Sequence, residues 1–194
     1  MNSLARLFAR VPRPALFALA GLLQVGLIAT MVIDRAGILR EGTEITLQTS
    51  PVDPRDFLRG DFVVLSYDIS SVPVGELKGK LPQNREPRLF VKLAPKGDGF
   101  YGAVSVHLDP VPVSGGEVLI QGRVTNWRWC GNCDNLGVRY GLERFFVPEG
   151  EGRELEHARN RRRLAVVAAV TPSGRAAIKR LLLDGKPVYD EPLF

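Results

Sequence analysis

Hydrophobic and polar residues divide the chain into one long apolar segment followed by many short alternating ones. Residues 15–33 contain no charged side chain. A helix over them would be about 28 Å long, close to the roughly 30 Å hydrocarbon core of a bilayer. From Thr43 onward apolar residues recur at every second position, which is typical of half-buried β-strands. The pattern predicts a mainly β fold, with α+β as an alternative, in which a single N-terminal transmembrane helix precedes one β-rich domain.

Individual strands are predicted from apolar residues that share one face of an alternating run. These sets are Ile45 and Leu47; Val63, Leu65, Tyr67 and Ile69; Leu89, Val91 and Leu93; Val104, Val106 and Leu108; and Val118, Ile120 and Val124. Lys96-Gly97-Asp98-Gly99 predicts a hairpin between two such runs. Residues 70–83, rich in Pro and Gly, predict a loop, and residues 149–160 can hold a short helix. Residues 175–183 fit a helix or a strand; the Asp-Gly that follows them favours a strand.

The charges beside the apolar segment indicate its orientation. Residues 1–14 contain Arg6, Arg10 and Arg13 and no acidic residue, and basic flanks stay in the cytoplasm. We therefore predict a cytoplasmic N-terminus over 1–14 and an uncleaved signal anchor over 15–33. The domain that follows, over 37–194, would then be extracytoplasmic. A cleaved signal peptide is the alternative, although no A-x-A site follows the apolar segment. The lipid bilayer is thus the first predicted partner.

The segment from Pro51 to Ile69 combines turn-forming and charged residues just before an apolar run. Two prolines restrict the backbone, and aspartates can accept hydrogen bonds from nearby backbone N–H groups. The candidate binding or structural residues are Asp53, Arg55, Asp56, Arg59, Gly60, Asp61, Leu65 and Tyr67. Two interpretations are open: a turn that satisfies its own charges, and a polar binding surface with Tyr67 packed behind it.

The same residues carry a family resemblance. Gly60-Asp61-Phe62-Val63-Val64-Leu65-Ser66-Tyr67 resembles the signature of the GDYXXLXY protein family of membrane-anchored bacterial proteins, with Phe62 in place of the first Tyr. The preceding P-x-D-P-R-D-x-L-R and the later Tyr140–Gly150 segment also resemble that family. The resemblance implies an anchored extracytoplasmic domain, and it supplies no catalytic residues. Because that family is bacterial, the resemblance also implies that residues 15–33 cross the bacterial inner membrane and that the domain over 37–194 is periplasmic.

Composition and charge narrow the choice of partners. The hydrophobic fraction of 45% and the charged fraction of 24% are ordinary for a globular protein. A net charge of +5 is too small to indicate a nucleic-acid partner. The basic run at residues 159–163 predicts a solvated turn, with contact to lipid phosphates near a membrane as the alternative. We expect no cofactor, no metal and no nucleic acid.

Two cysteines provide the first enzymatic alternative. Trp129-Cys130-Gly131-Asn132-Cys133 matches the W-C-x-x-C of thioredoxin-like thiol-disulfide redox proteins, but no βαβ pattern surrounds it. A hairpin tip between Trp127 and Val138 fits the flanking residues better. In an oxidising compartment Cys130 and Cys133 could close a small disulfide there.

A signal-peptidase-like Ser/Lys hydrolase is the second enzymatic alternative. Residues 54–61 are similar to the P-x-x-x-x-G-D turn of such proteins, and Lys92 lies on a later predicted strand. Ser50 is the nearest hydroxyl, yet the expected nucleophile position reads Pro51-Val52-Asp53. Because a positioned nucleophile is missing, we favour a binding or assembly module for an envelope or membrane protein over an active or degenerate hydrolase.

Overall fold

The computed structural model describes residues 12–52, 62–79, 87–125, 134–148 and 150–192. They belong to two compact units, one that ends at Gly37 and one that begins at Ile38.

The first unit consists of most of helix α1 (Arg13–Glu41). Its segment Pro14–Glu41 reaches a mean hydropathy of 2.3, and the most apolar part of that segment is not buried within the fold. The helix is therefore long and apolar enough to cross a membrane once. It continues beyond the predicted apolar segment, and its last turn belongs to the second unit, where Ile38 and Leu39 pack against Ala169 and Ala177.

The second unit is rich in antiparallel sheet. Its strands are β1 (Thr43–Gln48), β2 (Phe62–Val64), β3 (Ser71–Pro73), β4 (Leu77–Lys78), β5 (Arg88–Pro95), β6 (Tyr101–His107), β7 (Val118–Val124), β8 (Asn135–Arg139), β9 (Arg144–Phe146), β10 (Leu164–Val170), β11 (Ala176–Leu183) and β12 (Lys186–Asp190), and α2 is Gly152–Asn160. They form sheets of order β1-β10-β11-β12, β2-β9 and β3-β8-β7-β5-β6-β4. Only the β4–β6 pair among these described strands is parallel. The predicted fold, mainly β after one N-terminal apolar helix, is confirmed.

One hydrophobic core is shared by all three sheets. Strand β10 is buried along its whole length, as expected for an unbroken apolar run between two neighbouring strands. Val63, Leu65, Tyr67 and Ile69 are all at most 3% exposed, so the predicted buried face is confirmed. The predicted length of that strand is wrong, because β2 ends at Val64 and a 3₁₀ turn follows at Asp68–Ser70.

Two local predictions fail for identifiable reasons. Val104 is 45% exposed although it was placed on a buried face with Val106. The register between β5 and β6 pairs Lys92 with Ser105 and Leu93 with Ala103, so Val104 is the extra residue of a β-bulge. The predicted loop at 70–83 contains β3 and β4, which are short strands whose neighbours are distant in sequence.

Two of the predicted turns, at residues 96–99 and at Asp184–Gly185, are confirmed. The backbone N–H of Lys96 donates to the carbonyl of Phe100 at 2.7 Å, which closes the β5–β6 hairpin. Strand β11 resolves the helix-or-strand ambiguity at 175–183 in favour of a strand. Asp184 and Gly185 then have φ of 51° and 77°, the left-handed values that a tight hairpin turn requires.

Candidate functional site

Most of the predicted site residues lie outside the described residues. These are Asp53, Arg55, Asp56, Arg59, Gly60 and Asp61, together with Cys130 and Cys133. The structure does describe both ends of the first segment, at Val52 and Phe62. It also describes β7 and β8, which are paired antiparallel on either side of the cysteine-containing interval. The roles of these eight residues stay predictions, and the candidate site is built from their described neighbours.

Strands β2 and β9 bring together two of the three sequence segments that resemble the family, the signature and the Tyr140–Gly150 segment. Phe62 pairs with Phe146, Val63 with Phe145 and Val64 with Arg144. The pairing continues past the strand ends, because the backbone N–H of Leu65 donates to the carbonyl of Glu143 at 2.9 Å. We call this two-stranded element the β2–β9 ribbon.

Two buried tyrosines connect the same segments in both directions. The hydroxyl of Tyr67 donates to the carbonyl of Leu142 at 2.6 Å, and the hydroxyl of Tyr140 donates to the carbonyl of Ile69 at 2.6 Å. Burial raises the pKa of both phenols, and the nearby Glu143 carboxylate acts in the same direction. Both hydroxyls therefore stay protonated and serve as donors.

Glu143 fixes the turn between β8 and β9. Its carboxylate accepts hydrogen bonds from the backbone N–H of Tyr140 at 2.6 Å and of Gly141 at 3.0 Å. Gly141 has a φ of 82°, which a side chain would disfavour. The turn is thus held by a charged acceptor on two backbone donors, and such bonds are stronger than neutral ones.

Arg159, near the end of α2, holds both ends of the segment that contains the predicted surface. Its guanidinium donates to the carbonyl of Val64 and, at 3.5 Å, to the carbonyl of Val52. Asn160 adds to this contact, since its Oδ1 accepts from the backbone N–H of Val52 at 3.4 Å and from Arg159 Nε at 3.1 Å. The charge stays on the guanidinium although burial lowers the pKa of Arg159.

The prediction of a fully solvated basic run is therefore wrong at Arg159, which is only 1% exposed. Arg162 and Arg163 do lie at the surface, where they pair with Asp68 and Asp184. The sequence does contain a signal that distinguishes the buried Arg159 from the exposed Arg162 and Arg163. Leu155, Ala158 and Arg159 share one face of a helix, so Arg159 belongs to the apolar side of α2.

The outer face of the ribbon carries large apolar groups that remain in contact with solvent. Phe146 is 72% exposed and Val64 39% exposed. The rings of Phe62 and Phe146 lie 5.9 Å apart, and the Arg144 guanidinium carbon lies 5.7 Å from the centre of the Phe62 ring. We call Phe62, Val64, Arg144 and Phe146 the ribbon face. Aromatic residues and arginine are the types enriched where proteins bind one another.

The two residues of the hydrolase hypothesis have other partners. The Ser50 hydroxyl donates to the Ser66 hydroxyl at 3.1 Å, and Lys92 Nζ donates to Glu117 Oε2 at 3.0 Å. These contacts give a Ser50–Lys92 pair no support. Within the described parts of the chain, no group of three or more His, Cys, Asp or Glu residues is placed to bind a metal ion.

Comparison with known proteins identifies the family. Neither the curated proteins nor the solved structures contain a match to this chain. A family model described as GDYXXLXY protein matches residues 24–181. That range covers most of the chain and includes the ribbon, both tyrosines and Arg159. The chain therefore belongs to the GDYXXLXY protein family.

Proposed function

We propose that this protein is a single-pass protein of the bacterial inner membrane whose β-rich domain lies in the periplasm and binds a protein of the envelope. It performs no catalytic step of its own in this proposal. The ribbon face, a set of exposed aromatic and arginine side chains beside the family signature, is the observation that carries the proposal.

The placement is supported by helix α1 and by the residues before it. A helix of this length and hydropathy suits one crossing of a bilayer. The three arginines at positions 6, 10 and 13 favour a cytoplasmic N-terminus, so the domain that follows would face the periplasm. A reporter that is active only outside the cytoplasm, fused after Phe194, should be active. Activity of a cytoplasm-only reporter at the same position would contradict the placement.

The binding role is supported by the contrast between the two faces of the ribbon. Its inner face is buried, with Val63 at 1% and Phe145 at 5% exposure, while Phe146 on the outer face is 72% exposed. A monomer gains nothing in stability by presenting that ring to water. Covering the ring with a partner would remove its apolar surface from solvent and add the cation–π capacity of Arg144.

The ribbon is also fixed from behind. The two tyrosine hydroxyls, the Glu143 carboxylate and the Arg159 guanidinium all bond to backbone groups of the segments that form it. A surface held in one conformation before binding loses less conformational entropy when the partner arrives. These buried contacts therefore serve recognition as well as stability.

We infer that the partner is itself held in the same membrane. An anchored domain and an anchored partner share a thin layer of space, so their effective concentration is high and a small contact surface is sufficient. The predicted polar residues between Asp53 and Asp61 adjoin the ribbon in sequence, and they would extend the surface with charged groups.

Site-specific photocrosslinking in intact cells tests the binding role. A photoreactive amino acid at position 146 should give a discrete protein adduct. The same amino acid at position 113 is the control, because Val113 is also an exposed apolar residue, at 44%, but lies in the connection between β6 and β7 of the six-stranded sheet. Identical adducts from both positions, or none from position 146, would contradict the proposal.

A further inference from the structure

Three arginines form a row across neighbouring strands of the six-stranded sheet. Arg123 on β7 lies directly opposite Arg88 on β5 and, on its other side, directly opposite Arg139 on β8. All three side chains are exposed on the same side of the sheet. Strands are spaced about 4.8 Å apart, so the Cα atoms of the outer two arginines are about 10 Å apart.

The row is not compensated by charges in the described part of the chain. No side-chain hydrogen bond or ion pair joins the guanidinium of Arg88, Arg123 or Arg139 to another described residue. Other surface cations of the domain do have carboxylate partners, as Lys179 does with Glu44. Like charges directly opposite one another on adjacent strands destabilise a sheet. Among the described residues this arrangement is therefore unfavourable, and exceptions of this kind are expected at binding sites.

A cavity of about 590 Å³ lies against the row. Its lining includes all three arginines and one acidic residue, Glu143. The Glu143 carboxylate accepts the two backbone N–H bonds of the β8–β9 turn, which occupies part of its acceptor capacity, and it is a single negative charge against three positive ones. The lining thus carries an excess of positive charge, and its volume is in the range of small-molecule sites, roughly 300–1,000 Å³.

We propose that the Arg88–Arg123–Arg139 row binds the phosphoryl groups of a small anionic ligand. A guanidinium presents a planar fork of donors that matches phosphate oxygens. A carboxylate is satisfied by one such fork, whereas a phosphoryl group has three acceptor oxygens and up to two charges and can bridge two neighbouring guanidiniums. Three forks over about 10 Å fit two linked phosphoryl groups, as in a diphosphate. The site shares no side chain with the ribbon face, and the proposal does not depend on the proposed function.

Titration calorimetry with inorganic pyrophosphate tests this site. The full chain is held in nanodiscs of phosphatidylcholine, whose zwitterionic headgroups leave the row free. We expect saturable binding that Arg123→Gln weakens by about tenfold or more, because the central fork is lost. Arg123→Lys keeps the charge without the fork and should bind with intermediate affinity.

The matched control is Arg153→Gln, which removes the same charge from an exposed position on α2. It should bind pyrophosphate like the wild type. Melting of each variant is followed by near-ultraviolet circular dichroism; Arg123→Gln should melt no lower than the wild type, since it relieves repulsion within the row. Absence of saturable binding by the wild type, or equal loss of affinity in Arg153→Gln and Arg123→Gln, would overturn the proposal.

A second arm distinguishes the source of the phosphoryl group. In nanodiscs that mix phosphatidylcholine with phosphatidylglycerol, lipid headgroups that occupy the row would compete and lower the apparent affinity for pyrophosphate. An unchanged affinity would assign the row to a soluble phosphate ester. Either result supports a phosphoryl site, whereas wild-type affinity in Arg123→Gln in both kinds of nanodisc would refute it.

Discussion

The reciprocal tyrosine bonds lead to the most specific stability prediction. Replacing Tyr67 or Tyr140 by Phe keeps the buried ring and removes only the hydroxyl, so no cavity is created. Each change leaves a buried carbonyl oxygen without the donor that it has now, at Leu142 or Ile69. The expected cost is about 1–3 kcal/mol for each variant. For a domain of this size, a loss of about 2 kcal/mol lowers the melting temperature by roughly 4–8 °C.

The double variant tests whether the two bonds act together. Both join the segment after β2 to the turn before β9, so loosening one contact also weakens the other. Tyr67→Phe combined with Tyr140→Phe should therefore cost less than the sum of the single changes, by about 0.5 kcal/mol or more. The assay is melting of the full chain in mild detergent, followed by near-ultraviolet circular dichroism, which reports tertiary packing around aromatic rings.

Tyr101→Phe is the control for these measurements. The Tyr101 hydroxyl donates to the carbonyl of Gly116 at 3.3 Å in an exposed position, where water can replace it. Its loss should cost less than about 0.5 kcal/mol. If Tyr67→Phe and Tyr140→Phe melt like Tyr101→Phe, the buried bonds do not hold the two segments together and the account of the ribbon is wrong.

Three further predictions concern other parts of the domain. Folding raises the pKa of Tyr67, so above about pH 10 only the unfolded state releases the phenol proton. The contribution of this group to stability is therefore complete below about pH 10 and is lost as the pH rises further. In Tyr67→Phe the free energy of unfolding should fall less steeply above that pH, by about 1.4 kcal/mol per pH unit, as measured by denaturant titration. A Cβ at Gly122 would clash with Val138 Cγ1, so Gly122→Ala should lower the free energy of unfolding by about 1–3 kcal/mol. A Cβ at Gly97 meets nothing within 4 Å, so Gly97→Ala should melt nearly like the wild type. In Arg159→Lys a single ammonium cannot reach the carbonyls of both Val64 and Val52, so the free energy of unfolding should fall by about 1–3 kcal/mol and the melting temperature with it. Unchanged melting would show that the Arg159 contacts are dispensable.

Much of the fold could be predicted from local patterns. Alternation identifies the buried faces because one side of each strand packs on the core, and the Asp184–Gly185 turn follows from the backbone conformation that a hairpin needs. The bulge at Val104 could not be predicted, because it depends on the pairing register between β6 and β5 and does not change the residue pattern of β6 itself. The short strands β3 and β4 were missed for the same reason, as their partners are remote in sequence.

The candidate site was predictable in part. The signature residues Leu65 and Tyr67 could be placed on a buried face, and the later segment at Tyr140 could be recognised by resemblance. The hydrogen bonds from Tyr67 to Leu142 and from Arg159 to Val64 could not be predicted, because they join residues that only the tertiary fold brings together. The ribbon face was missed because Phe146 looks like an ordinary core residue until its 72% exposure is known.

The central claim, that the ribbon face serves recognition and not stability, is tested most directly by one paired measurement. Tagged full chains carrying Phe146→Ser or the control Val113→Ser are purified from cells after crosslinking of the envelope, and their associated proteins are quantified by mass spectrometry alongside the melting of each variant. We expect both variants to melt like the wild type, Phe146→Ser to lose an envelope protein that the wild type retains, and Val113→Ser to keep it. The same set of associated proteins in all three samples would contradict the claim.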